Sequence, residues 1–203
     1  MMTPKRPFEL HKPWVVRLFS LNYKHIFSFE FLYKRLHEWL VEEGYCEDSS
    51  GSRGDKWIEK LYLERVSSNG AKQIWVWWRM DKTYANDFFK FYLDVDFHGL
   101  NLKSEQIVVD GTKVDTNKGE VEVFITAKME LDPKNEWEKN FILKNPWLQN
   151  FYLNRIYKDR IEEVENELVR DAARLLGATK QYMQLESWLP EYAGPPFHVA
   201  KGE

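Results

Sequence analysis

The sequence has a single cysteine, Cys46, so no disulfide can form within the chain. Long hydrophobic runs are also missing, because the longest, Ile74 to Trp78, is far too short to span a bilayer. No apolar segment of the kind found in signal peptides follows Lys5 and Arg6, and we therefore expect a cytoplasmic protein. Neither sign of charge dominates. The net charge of −3 and pI near 6.0 give no overall attraction to nucleic acid.

The familiar short motifs of catalysis and cofactor binding are absent as well. The chain has no glycine-rich phosphate loop, no paired cysteines for zinc, no His-Glu-x-x-His and no Gly-x-Ser-x-Gly. These absences lower the expectation of an enzyme without removing it, because many active sites assemble from residues far apart in sequence. We expect no cofactor.

The composition is that of a folded globular protein that is rich in aromatic residues. Of its 203 residues, 43% are hydrophobic, 30% charged and 16% aromatic. This balance excludes disordered, collagen-like and coiled-coil classes. The length predicts one domain over residues 1–188, followed by an irregular proline-rich tail over residues 189–203.

The first part of the chain predicts a strand, a helix and a loop. Residues 13–27 are rich in β-branched, aromatic and aliphatic side chains, which is typical of a strand. Ser28 is placed as an N-cap, hydrophobic residues recur at helical spacing behind it, and Gly44 acts as a stop. The helix is therefore predicted over residues 29–43. Residues 46–56 are rich in serine and glycine, which predicts a loop.

From residue 57 to residue 132 the hydrophobic period is two, which indicates strands with one buried face. Asn69-Gly70 predicts a hairpin with a type I′ turn between strands over 57–66 and 71–80. Further alternation predicts strands over 89–98 and 121–131, with a shorter strand over 105–109 between them. The short connections favour an antiparallel meander of about five to six strands.

The last element is a helix that opens at Asn145-Pro146, an amide cap followed by proline. A helix reaching residue 186 would be about 60 Å long, whereas a domain of this size is roughly 40 Å across. We therefore predict a break near Gly177. An apolar stripe from Tyr157 to Tyr182 indicates that this helix packs on the sheet. The expected core residues are Leu61, Leu63, Val76, Phe91, Leu93, Val123, Ile125, Ile161, Val164 and Leu168.

The predicted fold is thus α+β, with a meander sheet, an N-terminal helix and a long C-terminal helix packed on it. This element order over residues 14–186 resembles the helix-grip arrangement of the START and Bet v1-like proteins, although one helix usual after the first is missing here. The resemblance rests on element order and includes no diagnostic motif. It implies a curved sheet around the last helix and a cavity suited to an apolar ligand.

One local cluster of polar residues could carry chemistry. Asp94, Asp96 and His98 lie on one face of a predicted strand, about 7 Å apart at each step. A metal ion could therefore join at most adjacent pairs, unless another strand supplied ligands such as Glu120 and Glu122. The simpler interpretation is a solvated sheet face with charged cross-strand pairs.

A more informative feature is an excess of aromatics on the face that should be polar. Trp75 and Trp77 alternate with apolar neighbours, so both sides of that strand are apolar, and Tyr62, Tyr92 and Phe124 are candidates to join them. We expect the first helix or the opening segment to cover this second face, because large exposed apolar patches are rare. Nucleic-acid stacking is not favoured, since acidic residues offset the nearby cations.

The start of the last helix carries a second excess of hydrophobic residues. Six residues point around nearly the whole circumference, which is more than one sheet can cover: Trp147, Leu148, Phe151, Tyr152, Leu153 and Ile156. The opening segment or residues 141–142 would cover the rest if the site is structural. The functional alternatives are a partner interface, self-association or peripheral membrane contact.

These observations lead to two hypotheses of different class. The first is a non-enzymatic module that binds a protein partner, a second copy of itself or an apolar small ligand through its aromatic surfaces. The alternative is an enzyme of unknown reaction with its polar centre at Asp94, Asp96 and His98. A polar-lined cavity would favour an enzyme or ligand binder, whereas a filled core with a bare aromatic patch would favour an interaction module.

Overall fold

A computed structural model describes residues 9–46, 57–84, 87–109, 112–139 and 145–183. In chain order its elements are β1 (Trp14–Phe27), α1 (Phe29–Glu42), β2 (Glu59–Val66), β3 (Lys72–Tyr84), β4 (Phe89–Val109), β5 (Thr112–Leu131), α2 (Glu136–Lys139), α3 (Pro146–Phe151), a π-helical segment (Tyr152–Ile156) and α4 (Lys158–Tyr182). The predicted α+β class, with an antiparallel sheet and a long C-terminal helix, is confirmed. No described helix is long and apolar enough to cross a membrane.

The five strands form one antiparallel sheet in the order β1-β5-β4-β3-β2. Strands β2 to β5 follow one another as a meander, and β1 adds to the far side of β5. The two edges of the sheet are therefore β1 and β2. The expected separate strand over 105–109 is instead the last part of β4, which continues past a register shift between Leu100 and Lys103.

Local signals determine where α1 begins and ends. The Ser28 hydroxyl accepts a hydrogen bond from the Phe31 N–H at 3.3 Å, which satisfies one free donor of the first turn. Gly44 follows with a φ of 78°, a conformation that glycine adopts without steric cost. The helix buries Phe29, Leu32, Leu36 and Leu40.

The predicted hairpin is present, but its turn is of another type. The Ser67 N–H donates to the Ala71 carbonyl at 2.8 Å, and the Gly70 N–H donates to the Ser67 carbonyl at 2.9 Å. Only Gly70 has a positive φ, 77°, so the type I′ prediction, which needs two such residues, is wrong. The Asn69 side-chain oxygen accepts a hydrogen bond from the Ala71 N–H at 3.0 Å, which stabilises the turn between Ser67 and Ala71.

The core lies between one face of the sheet and helices α1 and α4. Eight of the ten expected core residues are buried there, whereas Leu61 is half-buried and Leu63 is 38% exposed. A register shift between Glu59 and Leu61 explains the error, because one extra residue moves the following side chains to the opposite face. Leu61 and Leu63 consequently pair with Trp77 and Trp75.

The last helix is interrupted, but not at Gly177. Helix α4 runs unbroken through Gly177, and its 25 residues span about 37 Å, within the width expected of the domain. The interruption is the π-helical segment over Tyr152–Ile156. An inserted residue rotates the helix face there, so that Tyr152 and Tyr157 both contact Trp137. The predicted loop beyond Cys46 and the predicted tail lie outside the described residues.

Candidate functional site

Helices α1 and α4 pack on the same face of the sheet. Phe29 and Tyr33 of α1 contact Phe97 and Trp78, and the buried stripe of α4 joins the same cluster. The expectation that α1 or the opening segment would cover Trp75 and Trp77 is therefore wrong, since α1 lies on the other side and the opening segment is edge strand β1. We call the surface opposite the helices the open face.

Aromatic residues of β3 lie on the open face beside cations. The Trp75 ring stacks on His98 with a centroid distance of 5.2 Å and an interplanar angle of 22°. Trp77 is 44% exposed, and the Arg79 guanidinium lies 5.8 Å from its ring centroid. On the far side of Trp75, the Arg65 guanidinium lies 5.5 Å from the ring centroid. These contacts combine a flat apolar surface with delocalised positive charge.

The remaining apolar residues extend the open face to both edges of the sheet. Leu61 and Leu63 continue it across β2, while Phe124 of β5 and Leu18 of β1 lie on the other side of the charged centre. Phe124 is 37% exposed and Leu18 is 57% exposed. Of the other aromatics predicted to join, Tyr92 does so. Tyr62 does not, because it is paired with Val76 and so belongs to the helix side.

The centre of the open face is a chain of ion pairs. Arg79 Nη1 lies 2.5 Å from Asp96 Oδ1, and Arg79 Nε lies 3.8 Å from Asp94 Oδ2. Lys128 approaches Asp94 from the opposite strand. Asp94 is only 8% exposed, although no described helix covers it, because its own sheet neighbours shield it. Two cations therefore balance the two carboxylates before any partner binds.

Further pairs complete the polar part of the open face. His98 Nδ1 lies 3.1 Å from Glu122 Oε2, and Lys90 Nζ lies 3.2 Å from Asp81 Oδ2. The Tyr92 hydroxyl donates a hydrogen bond to the Glu130 carboxylate. Burial, followed by this carboxylate, raises the pKa of Tyr92 above its ordinary value. The phenol therefore stays protonated and keeps donating at neutral pH.

The predicted metal ligands share a face but have separate partners. Asp94 and Asp96 are bridged by Arg79, while His98 turns to Glu122. Among the described residues, no group of three or more His, Cys, Asp or Glu side chains is placed to hold a metal ion. The metal hypothesis at these three residues stays a prediction, and the ion pairs give it no support.

The second aromatic surface, at the start of the last helix, is divided by the π-helical segment. Trp147, Phe151 and Ile156 are 71%, 49% and 59% exposed, and the Trp147 and Phe151 rings stack at 6.0 Å. Tyr152 packs inward instead, with its ring 5.4 Å from that of Trp137. The expected covering residues at 141–142 lie outside the described residues. We call Trp147, Phe151 and Ile156 the collar.

The space between α4 and the sheet is filled by side chains. One buried cluster fills this space, and each of these members is at most 1% exposed: Leu168 of α4 and Phe91, Leu93, Val123 and Ile125 of the sheet.

Compared with known proteins, the chain matches no protein-family model and none of the curated proteins. Its function is therefore argued from its own surfaces.

Proposed function

We propose that this protein is a non-enzymatic interaction module that pairs with a second copy of itself through the open face. The observation that carries the proposal is the arrangement of exposed apolar side chains around charges that are already paired. Trp77, Phe124 and Leu18 are exposed on both sides of the Asp94–Arg79 centre. Aromatic residues together with arginine are enriched in the buried cores of protein interfaces.

The paired charges reduce the cost of burying this face. An unpaired carboxylate or ammonium would lose its water on docking and destabilise the complex strongly. Here Arg79 and Lys128 already neutralise Asp94 and Asp96, and Lys90 is paired with Asp81. Docking therefore removes water mainly from apolar and compensated polar groups, which favours association.

The dimensions of the open face match those of a stable dimer. Five strands spaced at about 4.8 Å give a width of roughly 24 Å, and nine residues along a strand give a length of about 30 Å. The resulting area of roughly 700 Å² approaches the roughly 800 Å² per partner of a standard interface. The open face is therefore large enough to hold two copies together.

A second copy suits the distribution of charge on the open face. In a two-fold dimer the same patch meets itself, so a face of one sign would repel its own copy. The open face instead places acids beside bases along β3, β4 and β5. Rotation by 180° can set the acids of one copy near the bases of the other. We therefore propose a second copy of this chain as the partner that binds the open face.

The filled interior weighs against the other hypotheses. We propose that the helix-grip resemblance extends to the architecture, since the strand order and the long last helix are compatible with it. An apolar ligand between helix and sheet would have to displace side chains such as Leu168 and Phe91. An enzyme that used Asp94 as its acid or base would have to break the ion pairs of this carboxylate before it could transfer a proton.

Sedimentation velocity over a range of protein concentrations tests the proposal. We expect wild type to shift towards a dimer as its concentration rises, and the double variant Trp77→Ser/Phe124→Ser to remain monomeric. The matched control is Trp147→Ser/Phe151→Ser, which removes one tryptophan and one phenylalanine from the collar, where both are more exposed than Trp77 and Phe124. We expect this control to dimerise as wild type does.

Two results would overturn the proposal. One is a wild-type protein that stays monomeric at every concentration. The other is loss of the dimer in the collar variant but not in the open-face variant, which would move the interface to the collar. The control for folding is thermal unfolding of both variants. If both unfold at the wild-type temperature, the substitutions have changed the surface and not the core.

A further inference from the structure

A groove at one end of the sheet collects more cations than described carboxylates neutralise. It has a volume of about 530 Å³, and its lining includes Lys24, His25, Lys103 and Lys118. These residues come from β1, β4 and β5. We call it the lysine groove. It lies beyond the ion pairs at the centre of the open face and is independent of the dimer proposed above.

Strand register brings two of these lysines directly opposite each other. Lys103 of β4 pairs with Lys118 of β5, and like charges in opposite positions of a sheet repel. Elsewhere on the sheet, cations are set against acids, as with Lys128 and Asp94. A repulsive pair is tolerated more easily where an anion can bridge it.

Neither member of this pair has a neutralising partner in the part of the chain that the structure describes. Lys103 and Lys118 form no ion pair or side-chain hydrogen bond there. Lys24 reaches one acid, Glu120 at 3.7 Å, and its side chain is still 80% exposed. Glu120 also accepts a hydrogen bond from Asn22 at 2.7 Å, so its charge is shared. Positive charge is therefore in excess in the lysine groove.

The backbone explains why a depression forms at this place. The register of β4 shifts between Leu100 and Lys103, and Asn101 adopts a φ of 52°. Gly119 lies opposite this bulge, where a Cβ atom would come within 2.8 Å of the Leu100 carbonyl oxygen. Because Gly119 has no side chain, β5 can approach the bulged part of β4 closely.

We propose that the lysine groove binds the phosphate group of a phosphorylated ligand. Lysine binds phosphate as a point charge with several donors, so two neighbouring lysines can contact different oxygens of one phosphate group. Ile26 also lines the groove and can contact an organic part of the ligand. The phosphate can belong to a free small molecule or to a lipid headgroup.

Amide NMR spectra of the full chain test this proposal, with inorganic pyrophosphate as the probe at low ionic strength. We expect saturable shifts of the Asn101 and Gly119 amides. The variant Lys103→Gln/Lys118→Gln should bind about fivefold more weakly or worse, because it loses two charges. Its thermal unfolding temperature should equal or exceed that of wild type, because the repulsive pair is gone.

The control is Lys12→Gln/Lys158→Gln, which removes the same charge from exposed lysines outside the groove. It should bind pyrophosphate as wild type does. An absence of saturable shifts at Asn101 and Gly119, or equal weakening in the control, would overturn the proposal.

Vesicles distinguish the two sources of phosphate. If phosphatidylcholine vesicles containing a phosphoinositide bind wild type, and pyrophosphate displaces it, the ligand is a lipid headgroup. If pyrophosphate binds but these vesicles do not, it is a free phosphorylated molecule. Vesicle binding that survives Lys103→Gln/Lys118→Gln would place lipid contact elsewhere and contradict a lipid ligand in the groove.

Discussion

Replacing Gly177 with alanine should stabilise the protein. Gly177 lies inside α4, five residues before its end, and a Cβ atom added there would meet nothing within 4 Å. Alanine is favoured over glycine in a helix interior by about 0.8–1 kcal/mol, largely because glycine loses more backbone freedom on folding. For a chain of this size, the expected rise in the midpoint of thermal unfolding is about 2–4 °C.

The matched control is Gly70→Ala in the β2–β3 turn. A Cβ atom at Gly70 also meets nothing within 4 Å, but the φ of 77° is unfavourable for alanine. We expect this variant to lose about 1–2 kcal/mol. The same methyl group should therefore act with opposite sign at the two positions, as measured by urea and thermal unfolding. If Gly177→Ala lowers the midpoint, the helix is bent or broken there and the unbroken α4 is wrong.

Two further predictions concern the partly buried Tyr33 and the collar. Burial and the Glu59 carboxylate, which accepts from the Tyr33 hydroxyl at 2.6 Å, raise the pKa of Tyr33 from 10.0 to about 12. The Tyr33 hydroxyl therefore loses its proton at a lower pH in the unfolded chain than in the folded protein. Stability should fall as the pH rises from about 10 towards about 12, and urea unfolding should show a smaller fall for Tyr33→Phe. In the collar, thermal unfolding of Phe151→Ser should match wild type, whereas Tyr152→Ala should unfold at lower temperature because it loses contacts with Trp137. Equal effects of the two substitutions would contradict the inward placement of Tyr152.

Elements determined by local chemistry were predictable from the sequence. The Ser28 cap and the Gly44 stop place α1, and the Asn145 side chain accepts from the Trp147 N–H at 3.0 Å at the predicted start of α3. Alternation of apolar residues also predicts which side of β4 and β5 is buried. Each of these signals depends on residues within a few positions of one another.

Features that depend on pairing between strands were not predictable. The register shift after Glu59 moves Leu61 and Leu63 to the open face, and no residue in β2 signals it. The juxtaposition of Lys103 and Lys118 also requires the register of β4 and β5, which includes a shift between Leu100 and Lys103. A one-residue change in register exchanges the two faces, so periodicity alone cannot identify such neighbours.

The position of the helix interruption depends on tertiary packing. Glycine has a low helix propensity, which favoured a break at Gly177, but the propensity of one residue is worth only about 1 kcal/mol. Leu175 and Thr179, on either side of Gly177, are fully buried. The free energy gained by burying these side chains exceeds the propensity cost of the glycine. The π-helical segment forms where Tyr152 and Tyr157 meet Trp137, a contact that the local sequence does not reveal.

The centre and one end of the sheet present surfaces of different chemistry, and the difference lies in how their charges are paired. At the centre of the open face, Asp94 is held between Arg79 and Lys128, so a partner need not supply charge and apolar contact can drive binding. In the lysine groove, Lys103 and Lys118 face each other with no acid between them, so a ligand must supply negative charge. Added salt should therefore weaken pyrophosphate binding strongly and dimer formation only slightly, because screening acts on exposed unpaired charges more than on compensated ones.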